Sequence, residues 1–408
     1  MKRLVLFGKS VKIENDLLRL GIILGVFAIA SLACVSSGDV APTSTSFGET
    51  NATISGTVYV GGSVASGARI ATDRGEYSTT TGSDGKYTLN VAGDKTYNVF
   101  ATYNGYKTVV AKQNRIVSGD AKTVNLTFTT PLASGEKTYM GSSQCKLCHA
   151  TQYNRWSNAP HRYGISAPGD SPGILSTPKT EFEAGYALSA TSAFSAYGSN
   201  APVLTKSGDT YYISIGTCSY PVTYAMGCQW KQRYITTIGE AHYILPIQYN
   251  VATSEWVTYN ASDWYSGVTP KYSTSTSLET DIYKKNSWER KCIGCHSVTG
   301  ILSLEYSASS ASGISQHKSD WLEKGVGCEA CHGPASAHVW ANGSTGPSSD
   351  PYIVNPAKLS RDRQLDVCGQ CHSRGVSVGT LGSQTGDTYT LEYWYNGTRT
   401  FHPGDTLV

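Results

Sequence analysis

From residue 53 onward the chain alternates apolar and polar positions in short runs: TISGTVYV, ARIA, GSDGKYTLNV, TYNVFATYNGYKTVV and TVNLTF, closing near 129. A period of two over a short run marks a strand with one buried face. Asp84-Gly85 and Asn104-Gly105 fall between such runs, and these residue pairs favour the tight turns that join strands. The spacing predicts an all-β sandwich over residues 53–130. A second alternating region runs through 201–260 as LTKSGDTYYISIG, QRYITTIG, HYILPIQYN and SEWVTYN. Before it, ATQYNRWSNAPHRY reads as a short helix. The fold class expected is therefore an N-terminal sandwich followed, over 139–408, by an irregular α+β module with little regular structure.

One run breaks both periods. Residues 20–33, LGIILGVFAIASLA, are apolar throughout and follow a leader carrying Lys2, Arg3, Lys9, Lys12 and Arg19. A spanning helix needs about twenty such residues, so a signal peptide over 1–33 is the better reading, with a retained anchor as its competitor. VSSGDVAPTSTSFGETNA then gives a polar linker over 34–52. Cys34 follows SLA, a setting that suits both a lipid anchor and a small-x-small peptidase site, and both readings stay open. The expected location is outside the cytoplasm: extracellular or at the cell surface, with a periplasmic-type space as the alternative.

Composition fits export. The leader's basic and acidic residues account for the whole net charge of +3, so the remainder is formally neutral. Charged residues are 15% of the chain, against about 25% in ordinary domains. No basic stripe exists, so nucleic acid is not an expected partner.

The chemistry lies in the cysteines. Four times the chain reads Cys-x-x-Cys-His: Cys145, Cys148 and His149; Cys292, Cys295 and His296; Cys328, Cys331 and His332; Cys368, Cys371 and His372. Two cysteines at this spacing can form thioethers to the two vinyl groups of one haem, and the adjoining histidine then lies under the iron. Zinc has no use for a histidine at the same offset every time, and a redox dithiol needs one copy only. Four covalently attached haems c are expected, which would bring the oxidised protein to about −4 by charge counting. Cys218 and Cys228 bracket SYPVTYAMG, a stretch able to turn back on itself, and in an oxidising compartment they read as a disulfide.

Five further histidines compete for four open iron faces: His161, His242, His317, His338 and His402. Imidazole binds iron well, and the only thioethers are Met1, Met140 and Met226. The six residues from His332 to His338 extend about 20 Å at most, so they would have to run taut around a porphyrin edge. His338 is therefore expected on a different haem from His332. The sandwich holds neither cysteine nor histidine, so it reads as a spacer, dispensable for the haem spectrum.

Two resemblances add to this reading. The order SG-x-V, GSDGKYTL, YNVFATYNGY resembles the carboxypeptidase-regulatory-like domain, which implies a transthyretin-like sandwich used as an accessory module. YMGSSQCKLCHATQYNRWSNAPH, WKQRYI, YILPIQYN, GVGCEACHGPASAH, VCGQCHSRG and FHPGD are similar to blocks of multihaem cytochromes related to the hydroxylamine-pathway tetrahaem cytochrome. A narrower resemblance is to tetrahaem members that assemble into extracellular cytochrome filaments. The first implies closely packed, mostly bis-histidine haems. The expected function is an exported electron carrier, not an enzyme, working with other redox proteins or extracellular electron acceptors. A head-to-tail homopolymer, with His161 or His402 capping a haem of the next molecule, is a further expectation. The competing reading is a reductase of the nitrite or hydroxylamine class with one open haem.

Overall fold

The computed structural model describes residues 5–6, 9–10, 50–73, 76–170, 173–238, 241–273, 288, 292–298, 301–306, 314–342, 352–372 and 403. The chain divides into two compact units, Met1–Val40 and Ala41–Val408. In the first, Val5–Leu6 pairs antiparallel with Lys9–Ser10. The apolar run 20–33 and Cys34, on which the signal-peptide and lipid-anchor expectations rest, lie outside the described residues. Among the described residues no helix is long and apolar enough to cross a membrane.

The second unit opens with two sheets facing each other. Strand β1 (Ala52–Val60) is central to the first, pairing with β2 (Ser63–Val64) and β5 (Lys86–Val91) antiparallel, and with β8 (Ala121–Thr123) and β9 (Leu126–Phe128) parallel. The second runs β4 (Ser78–Thr80), β3 (Arg69–Thr72), β6 (Lys95–Thr102), β7 (Val109–Ile116). Ile54, Val58, Ile70, Leu89, Val99 and Phe128 fill the space between them. Asn104-Gly105 closes the β6–β7 hairpin, with Gly105 at φ 81°. Asp84-Gly85 does something else: its turn carries the chain from β4 in one sheet to β5 in the other.

Strand β6 joins the sandwich to the rest of the unit. An exposed sheet would alternate, yet every residue from Tyr97 to Thr102 is buried. Tyr97, Val99 and Ala101 face the sandwich core. The other face carries Phe100, which with Ala71 packs against Leu322, Tyr139 and Val110. Gly141 is forced by this contact: a Cβ there would come 2.5 Å from Phe100 Cζ. Buried ion pairs cross the same boundary, Asp73 to Lys324 at 3.1 Å and Glu76 to Arg162 at 3.2 Å. The sandwich is thus packed against the residues beyond 139, with its second sheet covered on both faces.

The region beyond 139 is also more regular than expected. Strands β10 (Val203–Ser207), β11 (Thr210–Ile215) and β12 (Cys218–Pro221) form one antiparallel sheet. Strands β13 (Tyr224–Met226), β14 (Lys231–Ile238), β15 (Ala241–Asn250) and β16 (Glu255–Thr258) form another. Pro246 sits inside β15 where the register of β14 slips between Arg233 and Ile235, the setting in which a strand tolerates proline. This sheet has an apolar core of its own, in which Tyr224, Met226, Ile235 and Ile244 meet Trp288, Ile293 and Trp321. Enough β-branched and aromatic residues alternate here to bury a sheet without any cofactor.

The stretch Cys218–Cys228 does not turn back on itself. Cys218 opens β12 in one sheet and Cys228 follows β13 in the other. Both are buried thiols, and Cys218 Sγ lies 3.6 Å from the Tyr272 carbonyl oxygen. The structure does not show the expected disulfide. Both thiols should react with a maleimide once the chain is unfolded without reductant. A pair that labels only after reduction would contradict the structure.

Candidate haem centre

Each Cys-x-x-Cys-His sits on a turn of helix. The first bridges α1 (Ser142–Lys146) and α2 (Ala150–Ser157), where His149 N–H donates to the Cys145 carbonyl at 2.8 Å. The second is α3 (Ile293–His296), capped by Cys292, and His296 N–H donates to Cys292 at 3.0 Å. The third is α4 (Cys328–His332), and the fourth ends α6 (Arg361–His372), with α5 (Ser336–Asn342) between them. Positions three and four apart lie on one helical face, so each motif offers two thiols and an imidazole in one direction.

Two histidine pairs come together from distant parts of the chain. The His149 and His338 rings stack with centroids 6.2 Å apart and planes inclined by 21°. The His161 and His372 rings lie 6.3 Å apart with planes at 77°. A histidine nitrogen lies about 2 Å from a transition metal, and its ring centre about an ångström further, so two imidazoles across one iron place their centres on the order of 6 Å apart. Both pairs fit haem iron between them. Among the described residues no group of three or more His, Cys, Asp and Glu side chains could hold a bare metal ion.

The other two motif histidines are prepared differently. His332 Nδ1 lies 2.8 Å from the Val354 carbonyl oxygen, which can only accept. Nδ1 therefore carries the proton and Nε2 keeps its lone pair for a metal. His296 packs on Gly164, where a Cβ would come 3.1 Å from its Nδ1. Burial pushes its pKa down to about 4, so the ring is neutral at ordinary pH.

His242 is buried in β15 within an aromatic enclosure, with Tyr224 at 5.5 Å, Trp321 at 5.4 Å and Trp288 at 6.0 Å between ring centroids. The backbone of Leu304 on β17 (Ile301–Tyr306) pairs with that of His317 on β18 (Ile314–Asp320). His402 lies outside the described residues.

Two carboxylates that the motif reading missed join the first motif to the third. Glu329, inside the third motif, accepts from the backbone amides of Met140 at 3.0 Å, Gly141 at 2.7 Å and Ala335 at 2.8 Å. Glu323 accepts from Ser142 N at 3.1 Å and Ser142 Oγ at 2.8 Å, and the same hydroxyl accepts from Cys328 N at 2.9 Å. Burial pushes the Glu329 pKa up to about 7 and that of Glu323 up to about 8. The side chains of Cys145 and Cys328 interact, and that contact lowers the pKa of the Cys328 thiol. The first cysteines of two motifs are thus neighbours. The signal available in the sequence was an acidic residue inside one motif, CEACH, where the others carry none. Glu329→Ala leaves three amides without their acceptor and is expected to cost about 3 kcal/mol or more in urea denaturation of the holoprotein. Glu329→Gln keeps one acceptor oxygen and should recover part of the loss.

Residues 53–129 match the carboxypeptidase regulatory-like domain model, and residues 249–333 match the model of cytochrome c554 and c-prime. The second match spans two of the four motifs. The matches support a multihaem cytochrome with an N-terminal carboxypeptidase regulatory-like domain, and that family implies covalently bound haem c. No curated protein matches the chain. Among solved structures, the outer cell wall cytochrome OcwA is 20% identical with a TM-score of 0.38, covering 66% of this chain and 43% of its own. The chain thus spans less than half the length of that structure. A type II cohesin–X-dockerin complex from Acetivibrio cellulolyticus is 16% identical with a TM-score of 0.19, covering 24% of this chain and 72% of its own. A putative carbohydrate binding protein from Bacteroides uniformis is 10% identical with a TM-score of 0.17, covering 53% and 77% respectively.

Proposed function

We propose that this chain carries four covalently attached haems c, mostly ligated by two histidines, and serves as an exported electron carrier. The observation that carries this reading is the pair of histidine couples, each joining a motif histidine to a remote one at iron-spanning distance. In this reading His149 and His338 hold one iron, and His161 and His372 another. When bound, haem supplies a one-electron couple whose iron has no free site for substrate. The chain's own residues do the rest. His332 is fixed in one tautomer by Val354, and Glu323 and Glu329 clamp the helices of the first and third motifs together. The side chains of Cys145 and Cys328 interact, so two attachment sites are neighbours, which supports a relay of closely packed cofactors.

The sandwich is read as transthyretin-like, and the leader as directing the protein to the cell surface or beyond. Its partners are then other redox proteins or extracellular electron acceptors. For a head-to-tail filament, His161 already has His372 of its own chain beside it, which favours His402 as the donor.

The reduced holoprotein should take up little carbon monoxide, because both faces of the irons are occupied. Uptake of one full equivalent by the untreated protein would favour the reductase reading, with one open haem.

A further inference from the structure

The ion pairs that fasten the sandwich to the haem module differ in what they touch. Lys95 of β6 reaches Asp170 at 3.3 Å, on a loop whose carboxylate also accepts from Ala167 N. Glu76 reaches Arg162, with side chains 8% and 3% exposed, and Arg162 is the residue next to His161. That arginine is held at both terminal nitrogens and against an aromatic ring. One guanidinium nitrogen donates to Glu76 Oε1 at 3.2 Å, another to the Ser157 carbonyl at 3.2 Å, and the group lies 5.5 Å from the Trp156 ring centre.

The other side of the turn Pro160–Gly164 is closed as well. Val326 N–H donates to the His161 carbonyl at 2.9 Å, and Trp156 Nε1 donates to the Val326 carbonyl at 2.8 Å. Gly325 adopts φ +78°, and a Cβ there would come 2.2 Å from the Arg162 carbonyl oxygen. The backbone of His161 is held between residues 325–326 and the sandwich, while its exposed ring faces His372. A buried guanidinium shared between a carboxylate and a backbone carbonyl is a directional contact, and an imidazole ligand a fraction of an ångström out of place changes its metal's ligand field.

Resting on the reading of His161 as an iron ligand, we propose that Glu76 of the β-sandwich is a positioning residue for that ligand. Its ion pair with Arg162 sets the angle of the His161 ring against His372, and so the ligand field of the haem on the fourth motif. A domain with no ligand of its own thereby tunes one haem of the module.

Low-temperature electron paramagnetic resonance of the full-length ferric holoprotein reads this directly. Imidazole planes near parallel give a rhombic low-spin signal, and planes near perpendicular give a strongly anisotropic one at large g. The first is expected from His149 and His338 and the second from His161 and His372. Glu76→Gln should shift the large-g signal or convert it to high spin, up to its whole intensity, and leave the rhombic signal unchanged. Glu76→Asp should restore it in part. Lys95→Gln loosens the same interface away from any ligand, and should lower the melting temperature with both signals intact. Should Glu76→Gln fail to accumulate, Arg162→Lys keeps the charge but cannot hold Glu76 and the Ser157 carbonyl on two fixed nitrogens, and should give the same shift. An unchanged large-g signal in either variant overturns the proposal, as does an equal shift in Lys95→Gln. His161→Ala separates the two readings: if the large-g signal survives it, His161 is not a ligand and the premise itself has failed.

Discussion

Deleting residues 53–129 is expected to abolish the folded haem module. The cut removes Asp73 and Glu76 and leaves Lys324 and Arg162, both buried, without their counter-charges. Stripping one partner from a buried pair costs roughly 3–5 kcal/mol, and two such losses rival the about 5–15 kcal/mol by which a whole domain is stable. Leu322 and Tyr139 lose Phe100 and Ala71 in the same step. The charges and apolar groups exposed lie beside His161, Glu323 and the third motif. Expression of the chain lacking residues 53–129, with its leader kept and with haem maturation, should give little soluble holoprotein. A truncated protein with the full haem spectrum and unchanged melting temperature would show that these contacts add nothing.

His338→Ala should open one iron and leave the others closed. The His149 ring would face an empty position where a second imidazole lies 6.2 Å away in the wild type. The ferric spectrum should gain a high-spin signal at the expense of the rhombic low-spin signal, and the reduced variant should bind one equivalent of carbon monoxide. His338→Met offers a thioether at the same place and should keep the iron low-spin at a higher potential. If His338→Ala leaves every iron low-spin, another group ligates that haem and the pairing of the first motif is misassigned.

Much of the sandwich was legible because alternation reports one buried face, and TISGTVYV and KYTLNV both alternate. What alternation hides is a sheet buried on both sides. In TYNVFAT the second face carries Asn98, Phe100 and Thr102, residues that read equally well as solvent-facing. Leu322, more than two hundred positions away, and Tyr139 give that face its role. The Cys-x-x-Cys-His turns were fully visible, since spacing within one helical turn is a local property. Glu329 sat in plain view inside CEACH, but its function depends on amides at 140 and 141 that no local pattern connects to it. The Cys218–Cys228 reading failed for the opposite reason. A proline and a glycine promised a turn, while YPVTYAM had enough β-forming residues to build strands in two separate sheets.

The most direct measurement for the whole account is the intact mass of the purified holoprotein after acid–organic extraction, which removes any haem not covalently held. The mass should exceed that of the mature polypeptide by four haem groups, with no haem in the organic phase. A mass corresponding to fewer haems, or zinc found by metal analysis in place of iron, would contradict the assignment of the four motifs.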